Sequence, residues 1–104
     1  MPWYAVRTVY DWNRRKSDGK NIFEERIVAF EAATDDDAFA KAEAERDRYA
    51  DFHQFTAHDE QAMYLQDGDP LIDGYEVWSR MYESHDDLDA FYAKRYDDYA
   101  YHPE

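Results

Sequence analysis

The sequence contains no cysteine and only three glycines among its 104 residues. Without cysteine, disulfides, thiolate metal sites and thiol nucleophiles are excluded. The scarce glycines form no glycine-rich phosphate loop, and no G-x-S-x-G motif is present. No window approaches the roughly 20 apolar residues of a membrane span, and the N-terminus lacks a signal pattern. These absences predict a cytoplasmic protein without a cofactor and without membrane association.

The charge is strongly one-sided, with 25 acidic and 12 basic residues and a net charge of −13. Residues 1–20 hold five basic and two acidic residues, a local +3, so the rest of the chain carries −16. Such a field repels nucleic acid and attracts a basic protein partner. The alternative is that the acidic excess only confers solubility. Disorder is not expected, because 18% of the residues are aromatic.

Alternating aromatic and β-branched residues predict two strands, at 3–10 and at 22–33. Residues 11–21 between them are expected to form a basic hairpin loop with an Asp18-Gly19 turn. The first strand is mostly apolar on both faces, which favours an interior strand covered on both sides. One of its faces carries Trp3, Ala5, Arg7 and Val9, and the other carries Tyr4, Val6, Thr8 and Tyr10.

Thr34 is the expected cap of a helix that runs to about residue 52. The apolar stripe of this helix is Ala38, Phe39, Ala42, Tyr49 and Phe52. Further strands are predicted at 61–66 and 75–83, and a helix capped by Ser84 at about 85–100. The order β-β-α-β-β-α predicts a single two-layer α+β domain. Its two hairpins would form an antiparallel sheet with the helices packed on one face.

Four stretches resemble a group of small bacterial domains of unknown function. They are "WYAVR" at 3–7, "EERIVAFEA" at 24–32, "DDAFAKAEAE" at 36–45 and "DGYEVWSRM" at 73–81. Members of this group often close with a Gly-x-Glu-Val-x-Ser-Arg-like strand. The resemblance covers residues 3 to about 82 and implies a small α+β domain, but it supplies no activity. The basic loop and the last helix look like additions to the family pattern.

The predicted strand at 75–83 places Glu76, Trp78 and Arg80 on one face. Glu76 and Arg80 are four residues apart, about 13 Å along an extended strand, so they cannot pair with each other. We expect each to pair across strands, with partners such as Arg7, Glu25 or Arg26. The alternative is a binding face on which Trp78 and Arg80 are contact anchors.

The end of the chain is the second candidate site. Its members are Tyr96, Asp97, Asp98 and Tyr99. Carboxylates near a helix C-terminus oppose the helix dipole, so helix stability does not explain Asp97 and Asp98. Tyrosine beside acid makes a good recognition surface. Surplus aromatic residues in this helix also leave a homodimer open.

No catalytic or metal site emerges from the spacing of the remaining residues. The histidines lack metal-ligand spacing, and no serine stands beside an evident base. The sequence therefore favours a non-catalytic protein that engages a basic partner, as an inhibitor or antidote of a nucleic-acid-handling protein. The alternative is a small enzyme or ligand-binding domain with its site near Glu76 and Arg80.

Overall fold

The sheet is built around its first strand. In the computed structural model, which describes residues 1–66, 74, 76–79 and 81–97, the regular elements follow the chain order below. They are β1 (Trp3–Arg15), β2 (Asn21–Glu31), α1 (Asp35–His53), β3 (Thr56–Ala57), β4 (Ala62–Leu65) and α2 (Leu88–Tyr92), continued by a π-helical turn over Ala93–Asp97. β1 pairs antiparallel with β2 along one edge, and with β3 and β4 in succession along the other. The α+β class and the antiparallel sheet are confirmed.

The β1–β2 hairpin is longer than predicted. β1 continues to Arg15 and β2 begins at Asn21, so only residues 16–20 of the expected loop at 11–21 connect the strands. The register shifts between Asp11 and Arg15, where Asn13 adopts a positive φ of 58°. Gly19 turns the loop with a φ of 88°. The basic cluster is therefore carried on the projecting end of the hairpin.

Helix α1 begins where the sequence predicts. The Thr34 hydroxyl accepts a 3.1 Å hydrogen bond from the backbone N–H of Asp37, which satisfies a donor at the helix start. Ala38 and Ala42 are buried, and their small side chains allow the helix to lie close to the sheet.

The predicted apolar stripe is wrong at its last position, because Phe52 is 82% exposed. The helix ends at His53, and Gln54 takes a left-handed conformation with a φ of 62°. This turn brings Phe55 back to the sheet, where its ring stacks on Trp12 with centroids 5.2 Å apart. Phe55 thus provides the packing that the pattern assigned to Phe52.

Charged and phenolic groups join α1 to β2. Arg26 donates to Glu45 at 3.0 Å, and its guanidinium lies 3.8 Å from the centroid of the Tyr49 ring. The Tyr49 hydroxyl donates to Glu24 at 2.8 Å. Both pairs are partly buried, so water screens them less than it screens a surface pair.

The prediction of a strand at 75–83 is wrong. Residues 76–79 and 81–83 have no regular structure. The second predicted hairpin is also absent from the described residues, since β3 and β4 each pair with β1 instead of with one another. The apolar alternation at 75–83 indicates a half-buried segment, and the segment obtains its burial by side-chain packing instead of strand pairing.

The second helix is shorter than expected and starts later. Asp87, not Ser84, caps it by accepting a 2.9 Å hydrogen bond from the Ala90 N–H. The end of the predicted helix, at 98–100, lies outside the described residues. No helix in the described ranges is long and apolar enough to cross a membrane.

We predict that Tyr49→Phe lowers the free energy of unfolding by about 1.5 kcal/mol at pH 7, because it removes a hydrogen bond to a charged group. Burial, followed by the hydrogen bond to Glu24, raises the pKa of the Tyr49 phenol. The stability that the phenol contributes is therefore present below its unfolded pKa of about 10 and is lost as the pH rises through the folded value.

Urea denaturation at pH 7 and above pH 10 measures this effect. The difference between the wild type and Tyr49→Phe should shrink at the higher pH. A difference that is the same at both values would show that proton binding by Tyr49 does not contribute to folding.

Candidate functional site

The sheet has two faces with different environments. α1 covers the face that carries Tyr4, Val6, Thr8 and Tyr10, all of which are buried. The opposite surface, called here the second face, carries the alternate residues of the strands. Its β1 and β2 members are Trp3, Ala5, Arg7, Val9 and Asp11, opposite Phe23, Glu25, Ile27, Ala29 and Glu31. The division of β1 and β2 into these two faces confirms the predicted alternation.

Part of the second face is covered by the chain that follows β4. The Trp78 ring lies 6.2 Å from the ring of Tyr64, which pairs with Ala5 in the sheet. The Gln66 side-chain amide donates to the Val77 carbonyl at 3.4 Å. Ala5 is completely buried, so β1 is covered on both faces as its sequence predicts.

Glu25 is the point where α2 and its π-helical continuation meet the sheet. Its carboxylate lies 3.9 Å from the guanidinium of Arg7 and 3.8 Å from that of Arg95. The Arg95 guanidinium also donates to the Tyr82 hydroxyl at 3.1 Å and lies 5.4 Å from the centroid of that ring. Since Glu25 belongs to the second face, the second helix lies away from α1, not beside it.

A cleft of about 430 Å³ opens on the second face where β1 meets β3. This β1–β3 cleft is lined by Val9, Asp11, Phe23, Thr56, Ala57, His58 and Asp59. The His58 N–H donates to the Val9 carbonyl at 2.8 Å and fixes this edge to β1. Phe23 is 60% exposed, which is unusual for a phenylalanine in a sheet. The cleft thus combines apolar walls with two carboxylates.

The imidazole of His58 is oriented by its own turn. Its Nδ1 accepts a 3.0 Å hydrogen bond from the Glu60 N–H, so the proton of the neutral ring is on Nε2. His58 does not form part of a metal site with its neighbours. In residues 1–66, 74, 76–79 and 81–97, no group of three or more histidine, aspartate or glutamate side chains is arranged to hold a metal ion.

The predicted site residues are not brought into one constellation. Glu76 is exposed and has no ion pair with any described residue, so the expected cross-strand pairing of Glu76 is wrong. The strands it was expected to contact use their charges elsewhere, Arg26 with Glu45 and Glu25 with Arg7 and Arg95. Without a strand at 76–79, no ladder can form there.

Trp78 is half-buried, and it serves as a packing residue on the second face. The backbone of Tyr96 and Asp97 belongs to the π-helical turn. Arg80, Asp98 and Tyr99 lie outside the described residues. The acidic tyrosine surface at the end of the chain therefore stays a prediction.

Sequence reasoning missed the β1–β3 cleft. Phe23 and Glu25 were correctly placed on one face, but the cleft also requires His58 and Asp59, which lie more than thirty residues later in the sequence. The strand register brings them to Val9 and Asp11. The one available signal was Phe23, an aromatic residue beside a glutamate on a strand face with few other large apolar side chains.

The fold and the second face define a small α+β domain whose sheet is closed by a helix on one side and partly covered by the chain on the other. The chain belongs to the family described as a domain of unknown function (DUF4288), whose model matches residues 3–66. The match ends at the last residue after β4, so "DGYEVWSRM" at 73–81 lies beyond it. No curated protein and no solved structure matches the chain.

We predict that Glu25→Gln changes the free energy of unfolding by less than about 1 kcal/mol, because exposed ion pairs contribute little. The side chains of Glu25 and Arg95 are 46% and 39% exposed. Amide hydrogen exchange in Leu88–Tyr92 should nevertheless become faster, since Arg95 loses its carboxylate on the sheet.

Glu43→Gln is the matched control, because Glu43 is exposed on α1 and makes the same loss of charge far from Arg95. It should leave exchange in Leu88–Tyr92 unchanged. If Glu25→Gln also left that exchange unchanged, the helix would not depend on its contact with Glu25.

Proposed function

We propose that this domain is a non-catalytic binding module that holds a positively charged protein on the second face of its sheet. The observation that carries the proposal is the combination of exposed apolar side chains and carboxylates on this face. Phe23 is 60% and Ile27 is 42% exposed, and Asp11, Glu25 and Asp59 lie around them or at the cleft beside them. Asp11 and Asp59 have no ion pair with a described residue.

Exposed apolar groups give a protein interface contact area, while charges give it specificity and a fast association rate. The net charge of −13 extends the attraction for a basic partner beyond the contact surface. The apolar groups on the second face argue against solubility as the whole explanation of the acidity, because a face that only kept the protein soluble would not expose Phe23 and Ile27.

Basic proteins include many that handle nucleic acids, and an acidic domain bound to such a protein would cover its nucleic-acid site. We therefore propose that the module acts as an inhibitor or antidote of a nucleic-acid-handling protein. A bacterial cytoplasm as its setting is part of this proposal. The acidic tyrosine surface around Asp97 and Asp98 extends the same charge and would add to the interface.

Affinity capture from the lysate of the source cell tests the proposal. The bait is used as wild type, as Phe23→Ala and as Phe52→Ala, a control that removes an equally exposed phenylalanine from α1. We expect mass spectrometry to identify a basic protein that is retained at low salt, released in half-molar salt, and lost with Phe23→Ala but not with Phe52→Ala.

Two results would contradict the proposal. Retention that is unchanged in half-molar salt would exclude an electrostatic interaction. Equal losses with Phe23→Ala and Phe52→Ala would exclude the second face as the binding surface.

A further inference from the structure

We infer that the β1–β3 cleft is a subsite for a single arginine side chain of the partner. This inference rests on the proposed function and specifies which chemical group the second face recognises. The cleft measures about 430 Å³, near the lower end of the range for ligand pockets, so its size suits one side chain better than a folded element.

The lining of the cleft matches the two parts of an arginine side chain. Val9, Phe23 and Ala57 supply apolar surface for the three methylene groups, and the exposed ring of Phe23 offers a face on which a guanidinium plane can stack. Asp11 and Asp59 supply negative charge at the same cleft. Neither carboxylate has an ion pair with a described residue, so both can accept hydrogen bonds from an incoming cation.

The protein itself shows that the second face binds guanidinium groups. Arg95 is held there by the carboxylate of Glu25, at 3.8 Å, and by the hydroxyl and ring of Tyr82. Glu25 is directly opposite Val9 in the sheet and two residues from Phe23, and both of those residues line the cleft. An arginine in the cleft would repeat this combination of a carboxylate with an aromatic ring beside the site where the chain already uses it.

Arginine is favoured over lysine for a physical reason. A guanidinium group is planar, stacks on aromatic rings and is weakly hydrated, whereas an ammonium group is strongly hydrated and does not stack. Phe23 contributes only to a group that stacks. A neutral side chain of the same shape would lose the attraction of Asp11 and Asp59.

Short peptides test the subsite directly. The probes are acetyl-Gly-Arg-Gly-amide, the same peptide with citrulline, which keeps the shape without the charge, and the same peptide with lysine. Binding to the full chain is followed by the shifts of backbone amide signals in ¹H–¹⁵N spectra. We expect the arginine peptide to bind in the millimolar range and to shift the signals of Val9, Ala57 and His58. The citrulline peptide should bind at least tenfold more weakly, and the lysine peptide should lie between the two.

Variants separate the subsite from general attraction to the acidic surface. Asp59→Asn should weaken binding of the arginine peptide about three- to tenfold, and Phe23→Ala by a similar factor. The controls Glu43→Gln and Phe52→Ala should leave binding within twofold of the wild type. Backbone spectra of each variant verify that it is folded.

The inference is overturned if citrulline and arginine peptides bind equally, or if the shifts map to α1 and the controls weaken binding as much as the cleft variants. This failure is distinct from failure of the proposed function. A partner whose capture depends on Phe23 would keep the binding face while the peptides exclude the arginine subsite. Peptide binding in the cleft with capture independent of Phe23 would keep the subsite and exclude its use for that partner.

Discussion

The structure depends on the burial of β1 from both sides. Every other strand of the sheet hydrogen-bonds to β1, and β1 supplies most of the buried side chains. Tyr10 and Val6 are the largest fully buried residues, and Ala5 is buried on the opposite face. A strand that gives up water on both faces and both edges must have its whole backbone paired. The sheet can therefore exist only when β2, β3 and β4 are all in place.

The two coverings of β1 differ in how firmly they are held. On the α1 side, Arg26 and Tyr49 bind Glu45 and Glu24 within a partly buried interface, backed by buried alanines. On the second face, the contact between Arg95 and Glu25 is exposed to water. Screening by water leaves such a pair with little net free energy, so a partner can replace it at low cost. Variation in binding is therefore expected on the second face, while the α1 side keeps the fold.

The parts of the fold that were predictable are those fixed by neighbours in the sequence. Alternation in β1 and β2 gave the correct faces, and Thr34 gave the correct helix start. β3 was not predictable, because a two-residue strand exists only through the pairing of Thr56 and Ala57 with β1. The strand predicted at 75–83 failed for a related reason. Alternation indicates which side chains seek burial, but it does not specify a hydrogen-bonding edge, and both edges of β1 are occupied.

The cleft illustrates the same limit at the level of function. Val9, Phe23 and His58 come from three separate segments, and only the strand register places them together. Glu76 and Arg80 attracted interest because they interrupt an apolar stretch, yet a polar residue in a segment that packs by one face is explained by its exposure. Phe23 is the more informative exception, because water does not favour an exposed ring on a sheet. An exposed apolar residue beside unpaired carboxylates requires an explanation outside the folding of the chain, and recognition of a cationic partner supplies one.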